Sequence, residues 1–198
     1  NGKIYPVNPK GGIIEGLQAY TSVLEIPGEV DLAIIVVNAK FVLSTIDQCH
    51  EKGIKGLCII TAGFKETGAE GAEAEKQLLA KVREYGMRCV GPNCLGVVNT
   101  HPDIRMDGCF AESLPERGNI GFVSQSGALG GGILNILKDL NLGFAQFISI
   151  GNQADVNAET ALEYWENDAD VEQILLYMES IQNPANFRKL ASRISRKK

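Results

Sequence analysis

Short runs of apolar, often β-branched residues alternate along the chain with longer segments in which apolar residues recur every three or four positions. The first pattern is typical of buried strands and the second of helices that bury one face. Residues 31–37, DLAIIVV, show no polar alternation, so both faces of this strand must be covered. The whole pattern predicts an α/β fold with doubly wound, parallel sheets.

The predicted elements follow from this alternation and from capping residues. The last helix is predicted to begin with Asn183 as its N-cap and Pro184 as its first residue. The predicted strands are residues 4–7, 32–37, 57–61, 88–90, 120–123, 144–150 and 173–177. The predicted helices are residues 41–52, 70–85, 128–140, 158–167 and 184–195.

A polar stretch from His101 to Gly118 interrupts the alternation and contains Pro102 and Pro115. Proline and glycine among charged residues are typical of a connection between domains. We therefore predict two α/β units, residues 1–110 and residues 111–198, joined by this stretch.

Residues 119–137, NIGFVSQSGALGGGILNIL, read as a strand, a tight turn and a helix start. Free backbone N–H groups and the positive end of the helix dipole lie at such a start and attract anions. The turn Ser124-Gln125-Ser126-Gly127 is therefore predicted to hold an anion.

The same turn also fits the elbow that carries the nucleophile in α/β-hydrolases. That chemistry requires a histidine later in the chain to accept the serine proton, and none follows Ser126. His50 and His101 are expected to be surface or packing residues. A serine hydrolase is therefore disfavoured.

Composition excludes several other classes. The net charge of −5 argues against a general nucleic-acid surface, and no apolar run approaches the roughly 18 residues that span a bilayer. The start of the chain has no signal-peptide core, so a cytoplasmic location is expected. Five cysteines, odd in number and scattered, are expected to be reduced, and no metal site is predicted.

Six loops follow predicted strands, and each is small, polar or contains glycine. Ligands of open α/β sheets bind beyond the carboxyl ends of the strands. Tight turns need glycine and asparagine in any such domain, which explains a single loop but not the set. Lys10, Lys40 and Lys65 add local positive charge, so a phosphorylated ligand is predicted. The loops are residues 8–12, 38–40, 61–65, 91–96, 124–127 and 151–155.

The two ends of the chain suggest an internal piece of a larger protein. A dinucleotide-binding domain begins with a strand and a G-x-G-x-x-G loop, whereas this chain opens at what looks like a second strand. It stops on a basic helical segment with no strand after it.

Seven motifs occur in order along the chain: YPVNPK, DLAIIVVNAKFV, ITAGFKE, GPNCLGVVN, GFVSQSGALG, SIGNQADVN and YMES. Their order and spacing resemble the CoA-binding and ligase domains of the ADP-forming acyl-CoA (acetyl-CoA) synthetases, relatives of the succinyl-CoA synthetase α-subunit. The resemblance implies an incomplete Rossmann-like CoA-binding domain, residues 1–110. It also implies an incomplete flavodoxin-like domain of the succinyl-CoA synthetase type, residues 111–198.

In the first domain the resemblance implies a CoA site made from a lysine and several loops. Lysines offer charge to phosphates, and exposed backbone amides contact the pantetheine arm. The chain departs from its relatives at Asn38, where they usually have proline. Cys94, near the thiol end of CoA, is expected to pack rather than react, because no basic residue adjoins it in sequence. The implied CoA-binding residues are Lys10, Val37, Asn38, Ala39, Lys40, Thr61, Gly63, Phe64 and Asn93.

In the second domain the resemblance implies a phosphate site and an acid that serves it. Ser124, Ser126 and Gly127 match the helix start that receives the phosphate of a phosphohistidine. Glu179 matches the glutamate that orients this histidine, since a carboxylate fixes the tautomer and stabilises the imidazolium. Without the resemblance Glu179 would be read as an exposed acid after a strand. The phosphohistidine is expected beyond Lys198.

The implied activity is that of an acid–thiol ligase: acyl-CoA, ADP and phosphate are interconverted with acid, CoA and ATP through an acyl phosphate and a phosphohistidine. ATP/ADP and Mg are expected on an ATP-grasp domain or a β-subunit absent from this chain, so an oligomer is expected and the fragment alone is expected to be inactive. Two alternatives stay open, an acyl-CoA-sensing region of a protein lysine acetyltransferase and a stand-alone CoA-binding module. The acyl group is not indicated.

Overall fold

The first half of the chain builds a three-stranded parallel sheet; the computed structural model describes residues 2–112 and 116–198. Two short strands, β1 (Ile13–Ile14) and β2 (Leu17–Gln18), form an antiparallel hairpin ahead of it. The sheet then follows in the order β3 (Leu32–Ile35), β4 (Gly56–Ile59), β5 (Arg88–Val90). Helix α1 (Val42–Glu51) connects β3 to β4, and α2 (Ala69–Glu84) connects β4 to β5.

The second half builds a five-stranded mixed sheet. Its strands are β6 (Gly96–Asn99), β7 (Met106–Cys109), β8 (Arg117–Ser124), β9 (Phe144–Ser149) and β10 (Gln173–Tyr177), in the spatial order β10-β8-β9-β6-β7. β10, β8 and β9 are parallel, whereas β6 runs antiparallel to both β9 and β7. Helix α3 (Gly127–Asp139) follows β8, α4 (Ala158–Trp165) follows β9, and α5 (Pro184–Ile194) follows β10.

Side chains of β8 alternate between two cores, which explains why its apolar run is nearly continuous. Phe122 packs in the cluster that contains Leu134 of α3 and Phe147 of β9. Its neighbour Val123 packs in the cluster that contains Trp165 of α4. Helices therefore cover both faces of this sheet, and the α/β fold predicted from the sequence is confirmed.

The differences from the predicted elements lie at residues 4–7 and at the antiparallel pairs β1–β2 and β6–β7. Residues 4–7 do not form a strand, because Val7 makes only an isolated bridge to Tyr20. The predicted parallel pairing is found for β3, β4 and β5 and for β10, β8 and β9, whereas β6 and β7, which are not predicted as strands, pair antiparallel. The predicted connection 101–118 contains β7 and the first residues of β8, while Pro115 within it lies outside the described residues. The division at residue 110 stays a prediction.

Within residues 2–112 and 116–198, none of the helices combines the length and the apolar character that a membrane span requires.

Helix α4 provides a test of local stability, because one side chain caps its first turn. Asn157 Oδ1 accepts hydrogen bonds from Thr160 N at 2.9 Å and from Thr160 Oγ at 2.8 Å. Asn157→Ala is expected to lower the free energy of unfolding by about 1 kcal/mol, since an N-cap acceptor is lost. Urea denaturation measures the change. Asn157→Asp, which keeps a cap oxygen, should stay near wild type, and equal losses in both variants would contradict the capping role.

Candidate functional site

Loops after β3, β4 and β5 lie side by side at the carboxyl edge of the first sheet, and Thr61 joins them. Its hydroxyl donates to the carbonyl of Val37 at 2.7 Å. Its own carbonyl accepts from the amide of Asn93 at 3.0 Å. Three of the residues that the sequence predicts to bind CoA are thus brought together by backbone and hydroxyl contacts.

The loops after β3 and β4 also approach each other at Ala39 and Gly63. A Cβ on Gly63 would lie 3.0 Å from the Cβ of Ala39, and Gly63 has φ +107, which favours glycine. Asn38 accepts from the amide of Lys40 at 3.2 Å, so it caps the short turn that presents this lysine. Phe64 is buried and anchors the second loop in the core. The predicted residues 37–40 and 61–64 therefore form one ordered edge.

The three loop lysines have different surroundings. Lys40 is exposed, with its Nζ 4.9 Å from the ring centroid of Phe41. Lys10 is exposed in a separate turn, where its amide donates to Asn8 Oδ1 at 3.0 Å. Lys65 instead contacts Glu75 Oε1 at 3.5 Å and the carbonyl of Asn152. Lys65 is thus engaged with two groups of the protein.

Cys94 is buried behind this edge and pairs with Cys58, their sulfur atoms 3.9 Å apart. The hydrogen bond from Cys58 lowers the pKa of the Cys94 thiol, although burial opposes this effect. The same contact, together with burial, raises the pKa of the Cys58 thiol. Both thiols pack against Val97 in one apolar cluster. The sequence missed this partner because it comes from β4, 36 residues earlier in the chain.

The predicted anion site lies where β8 ends and α3 begins. Ser126 is the N-cap, and its Oγ accepts from the amide of Leu129 at 3.3 Å. The amides of Gly127 and Ala128 precede the first intrahelical hydrogen bond and have no acceptor within the helix. Since Ala128 is exposed, this helix start is open to an anion from solvent.

Ser124 has a different place in the turn from Ser126. It is fully buried, and its hydroxyl donates to the carbonyl of Ser126 at 2.7 Å. Its side chain therefore shapes the turn from inside, while Ser126 and Gly127 form the outer surface.

Gln125 links this turn to Glu179. Its side-chain Oε1 accepts from the backbone amides of Glu179 at 2.9 Å and Ser180 at 3.0 Å, and its backbone N–H donates to the carbonyl of Tyr177. The exposed Glu179 is therefore held beside the start of α3. Gln125 was part of the motif in the sequence, but no local pattern indicated its partners, which lie 54 and 55 residues later.

A second group that the sequence did not assign lies between the two halves of the chain. Asn152, in the loop after β9, donates to Glu66 Oε2 at 2.6 Å and to Glu75 Oε2 at 2.7 Å, and its Oδ1 accepts from Asn93 Nδ2 at 3.3 Å. Nearby, Asp155 accepts from Arg88 Nε at 2.7 Å. The sequence placed residues 151–155 among the loops that follow strands, but it did not indicate these partners.

Two family comparisons cover most of the chain. Residues 1–100 match the family described as CoA binding domain, and residues 117–198 match the succinyl-CoA ligase like flavodoxin domain. The first match spans half of the chain, and the predicted family is confirmed.

Individual relatives agree with this result. The chain is 47% identical over its full length to the acetate–CoA ligase [ADP-forming] II subunit alpha of Pyrococcus furiosus, covering 42% of that protein. It is 43% identical over its full length to an acetate–CoA ligase [ADP-forming] of Methanocaldococcus jannaschii, covering 27% of it. The chain therefore spans well under half the length of these relatives.

Solved structures give the same picture. A Pyrococcus horikoshii OT3 protein superposes with a TM-score of 0.94 at 47% identity, over the whole of this chain and 45% of that one. The acetyl-coenzyme A synthetase 1 of Ca. Korarchaeum cryptofilum, in complex with phosphate and ADP, superposes with a TM-score of 0.88 at 37% identity, over 98% of this chain and 41% of that one. The chain belongs to the CoA binding domain family, and its residues 117–198 match the succinyl-CoA ligase like flavodoxin domain.

Proposed function

We propose that the chain is the CoA-holding and phosphate-receiving part of an ADP-forming acyl-CoA synthetase, with acetate as the first acid to test. The parent enzyme would interconvert acyl-CoA, ADP and phosphate with acid, CoA and ATP. The observation that carries the proposal is the link from Gln125 to Glu179, which places a carboxylate-bearing residue beside an open helix start. The names of the relatives support the same reaction class.

We propose two functional units, residues 1–110 for CoA and residues 111–198 for phosphate. CoA carries phosphates at one end and an amide-rich pantetheine arm towards its thiol. The first sheet edge suits both parts, because Lys10 and Lys40 are exposed cations and the small, half-buried residues Ala39 and Gly63 lie where the loops after β3 and β4 meet. Asn93 would then lie towards the thiol end, beside the second sheet.

At the second site, Ser126 and Gly127 would hold a transferred phosphoryl group through a hydroxyl and two helix amides. Ser124 would support the turn from inside, since its hydroxyl is already bonded there. Glu179 would orient and stabilise a histidine that becomes charged, which we propose to come from outside residues 1–198. A partner domain or β-subunit would bring ATP/ADP and Mg.

A regulatory acyl-CoA sensor is the second candidate, because the CoA site alone would serve it equally well. The arrangement of Glu179 favours the synthetase, since a carboxylate beside a phosphate site is needed mainly when a histidine takes up positive charge.

Calorimetry of CoA binding tests the first site. In the complete parent protein, Lys10→Ala and Lys40→Ala should each weaken CoA binding by about 1–3 kcal/mol, or roughly 5- to 150-fold, because a charge-assisted contact to phosphate is lost. Lys76→Ala, an exposed lysine on α2, is the matched control and should bind CoA like wild type. Unchanged affinity in both loop variants would contradict the assignment.

A further inference from the structure

The backbone of residues 150–152 touches both candidate sites within three residues. The backbone amide of Ile150 donates to the carbonyl of Ser124 at 2.9 Å. Ser124 is the first residue of the turn 124–127, which we propose to hold phosphate and call the phosphate turn. The amide of Asn152 donates to the carbonyl of Pro92 at 2.9 Å, in the loop beside the CoA edge. A short and fixed path therefore connects the two sites.

Gly151, in the middle of this path, allows the close approach. It has φ +51, and a Cβ there would lie 2.3 Å from the carbonyl oxygen of Asn93 and 2.4 Å from that of Pro92. Both obstacles are backbone atoms, which cannot turn aside as a flexible side chain can. The two halves of the chain thus meet as closely as a glycine permits.

The side chain of Asn152 extends the connection to two more elements. Asn152 is 5% exposed. Its side-chain Oδ1 accepts from Asn93, and its Nδ2 donates both to Glu66, in the loop after β4, and to Glu75 of α2. A buried amide with all these partners satisfied is rigid, because each bond lost would leave a polar group unpaired.

One cation, Lys65, lies beside the two carboxylates of this network, Glu66 and Glu75. Lys65 Nζ lies 3.5 Å from Glu75 Oε1 and also contacts the Asn152 carbonyl. Burial opposes ionisation of Glu66, but hydrogen bonds from Asn152 and from the amides of Gly63 and Phe64 outweigh it and lower the pKa of the Glu66 carboxyl. Glu66 thereby ties Asn152 directly to the predicted CoA-binding residues Gly63 and Phe64.

We propose that Asn152 is a positioning residue: it fixes the CoA loops, through Glu66 and Asn93, relative to the phosphate turn of α3. The inference rests on the proposed function. The network would leave each site able to bind its own ligand, and it would set the distance across which the acyl and phosphoryl chemistry takes place. A displacement of about 1 Å between reacting groups lowers rates by roughly a hundredfold.

The test uses the complete parent protein with any partner subunit and two variants. Glu66→Gln keeps an oxygen for the amides of Gly63 and Phe64 but places an NH₂ group against the NH₂ group of Asn152, so it breaks mainly the bond to Asn152. Because Glu66 is exposed, this variant should fold even where Asn152→Ala does not. Asp155→Asn is the matched acid-to-amide control, since it weakens another contact between the same halves of the chain, to Arg88.

Four readouts separate positioning from stability: the Kd for CoA, the phosphoenzyme yield, kcat and the Tm. In Glu66→Gln and Asn152→Ala, the Kd for CoA and the yield of phosphoenzyme from ATP should stay within about threefold of wild type, while kcat for acetate, CoA and ATP falls about tenfold to a hundredfold. Asp155→Asn should lower the Tm and leave kcat within about twofold. A wild-type kcat in the first two variants, or an equal loss in Asp155→Asn, would overturn the inference alone. A wild-type parent that binds no CoA would overturn the proposed function as well.

Discussion

Gly127→Asp in the complete parent protein is expected to abolish phosphoenzyme formation while CoA binding stays nearly unchanged. The substitution is sterically allowed, because a Cβ at Gly127 would lie 3.6 Å from the Cβ of Leu95, an ordinary contact. Its effect is electrostatic. Two unit charges 4 Å apart at an effective dielectric constant of 20 repel by about 4 kcal/mol, which corresponds to roughly a thousandfold loss.

Gly132→Asp is the control for this prediction. Gly132 is exposed on the same helix, and nothing lies within 4 Å of a Cβ there, but it is more than one turn from the helix start. Labelling with radioactive ATP and magnesium, followed by calorimetry with CoA, measures both variants. Loss of CoA binding with an intact phosphoenzyme in Gly127→Asp would mean that the two sites are assigned to the wrong halves of the chain.

Glu179→Gln is expected to lower phosphoenzyme formation about tenfold to a hundredfold, the usual cost of losing a group that orients a reacting histidine. The isosteric amide keeps the backbone contact with Gln125, so the loop should stay in place. What is lost is the negative charge that stabilises an imidazolium. The initial rate of labelling by ATP is the measurement.

Glu163→Gln, at an exposed position on α4, removes a carboxylate from the same half of the chain and should leave the labelling rate unchanged. If Glu179→Gln is labelled as fast as Glu163→Gln, Glu179 is only a surface acid after a strand.

The strands and helices with strong local signals could be predicted from the sequence. β5 and β10 have the predicted bounds, because each is a short apolar run between polar or turn-forming residues. The five helices differ from prediction by one or two residues at their ends. In these segments local pattern and tertiary environment agree.

The hairpins could not be predicted, because their pairing is set by distant parts of the chain. β6 pairs with β9, with Val98 opposite Phe147, and β7 reads MDGC, in which Asp107 and Gly108 obscure any strand pattern. The strand predicted at residues 4–7 shows the opposite case, a β-like sequence that makes an isolated bridge from Val7 to Tyr20 and no strand.

The candidate sites divide in the same way. Loop position and glycine content indicated the turn at Ser126 and the edge around Thr61, since ligand loops follow parallel strands. The roles of Gln125 and Asn152 depend on partners 54 to 86 residues away, and no local pattern reports such contacts. The inward hydroxyl of Ser124 and the engaged ammonium of Lys65 likewise depend on tertiary packing.

Phosphoenzyme labelling decides whether this chain joins a CoA site to a phosphate-receiving helix in a synthetase. The complete parent protein, with any partner subunit, is incubated with radiolabelled ATP and magnesium, and the label is tested for stability in acid and base. We expect an acid-labile, base-stable label, as a phosphohistidine gives, that is discharged by CoA together with acetate or another short carboxylic acid. A folded parent that binds acyl-CoA but takes up no label would contradict this expectation and favour an acyl-CoA sensor.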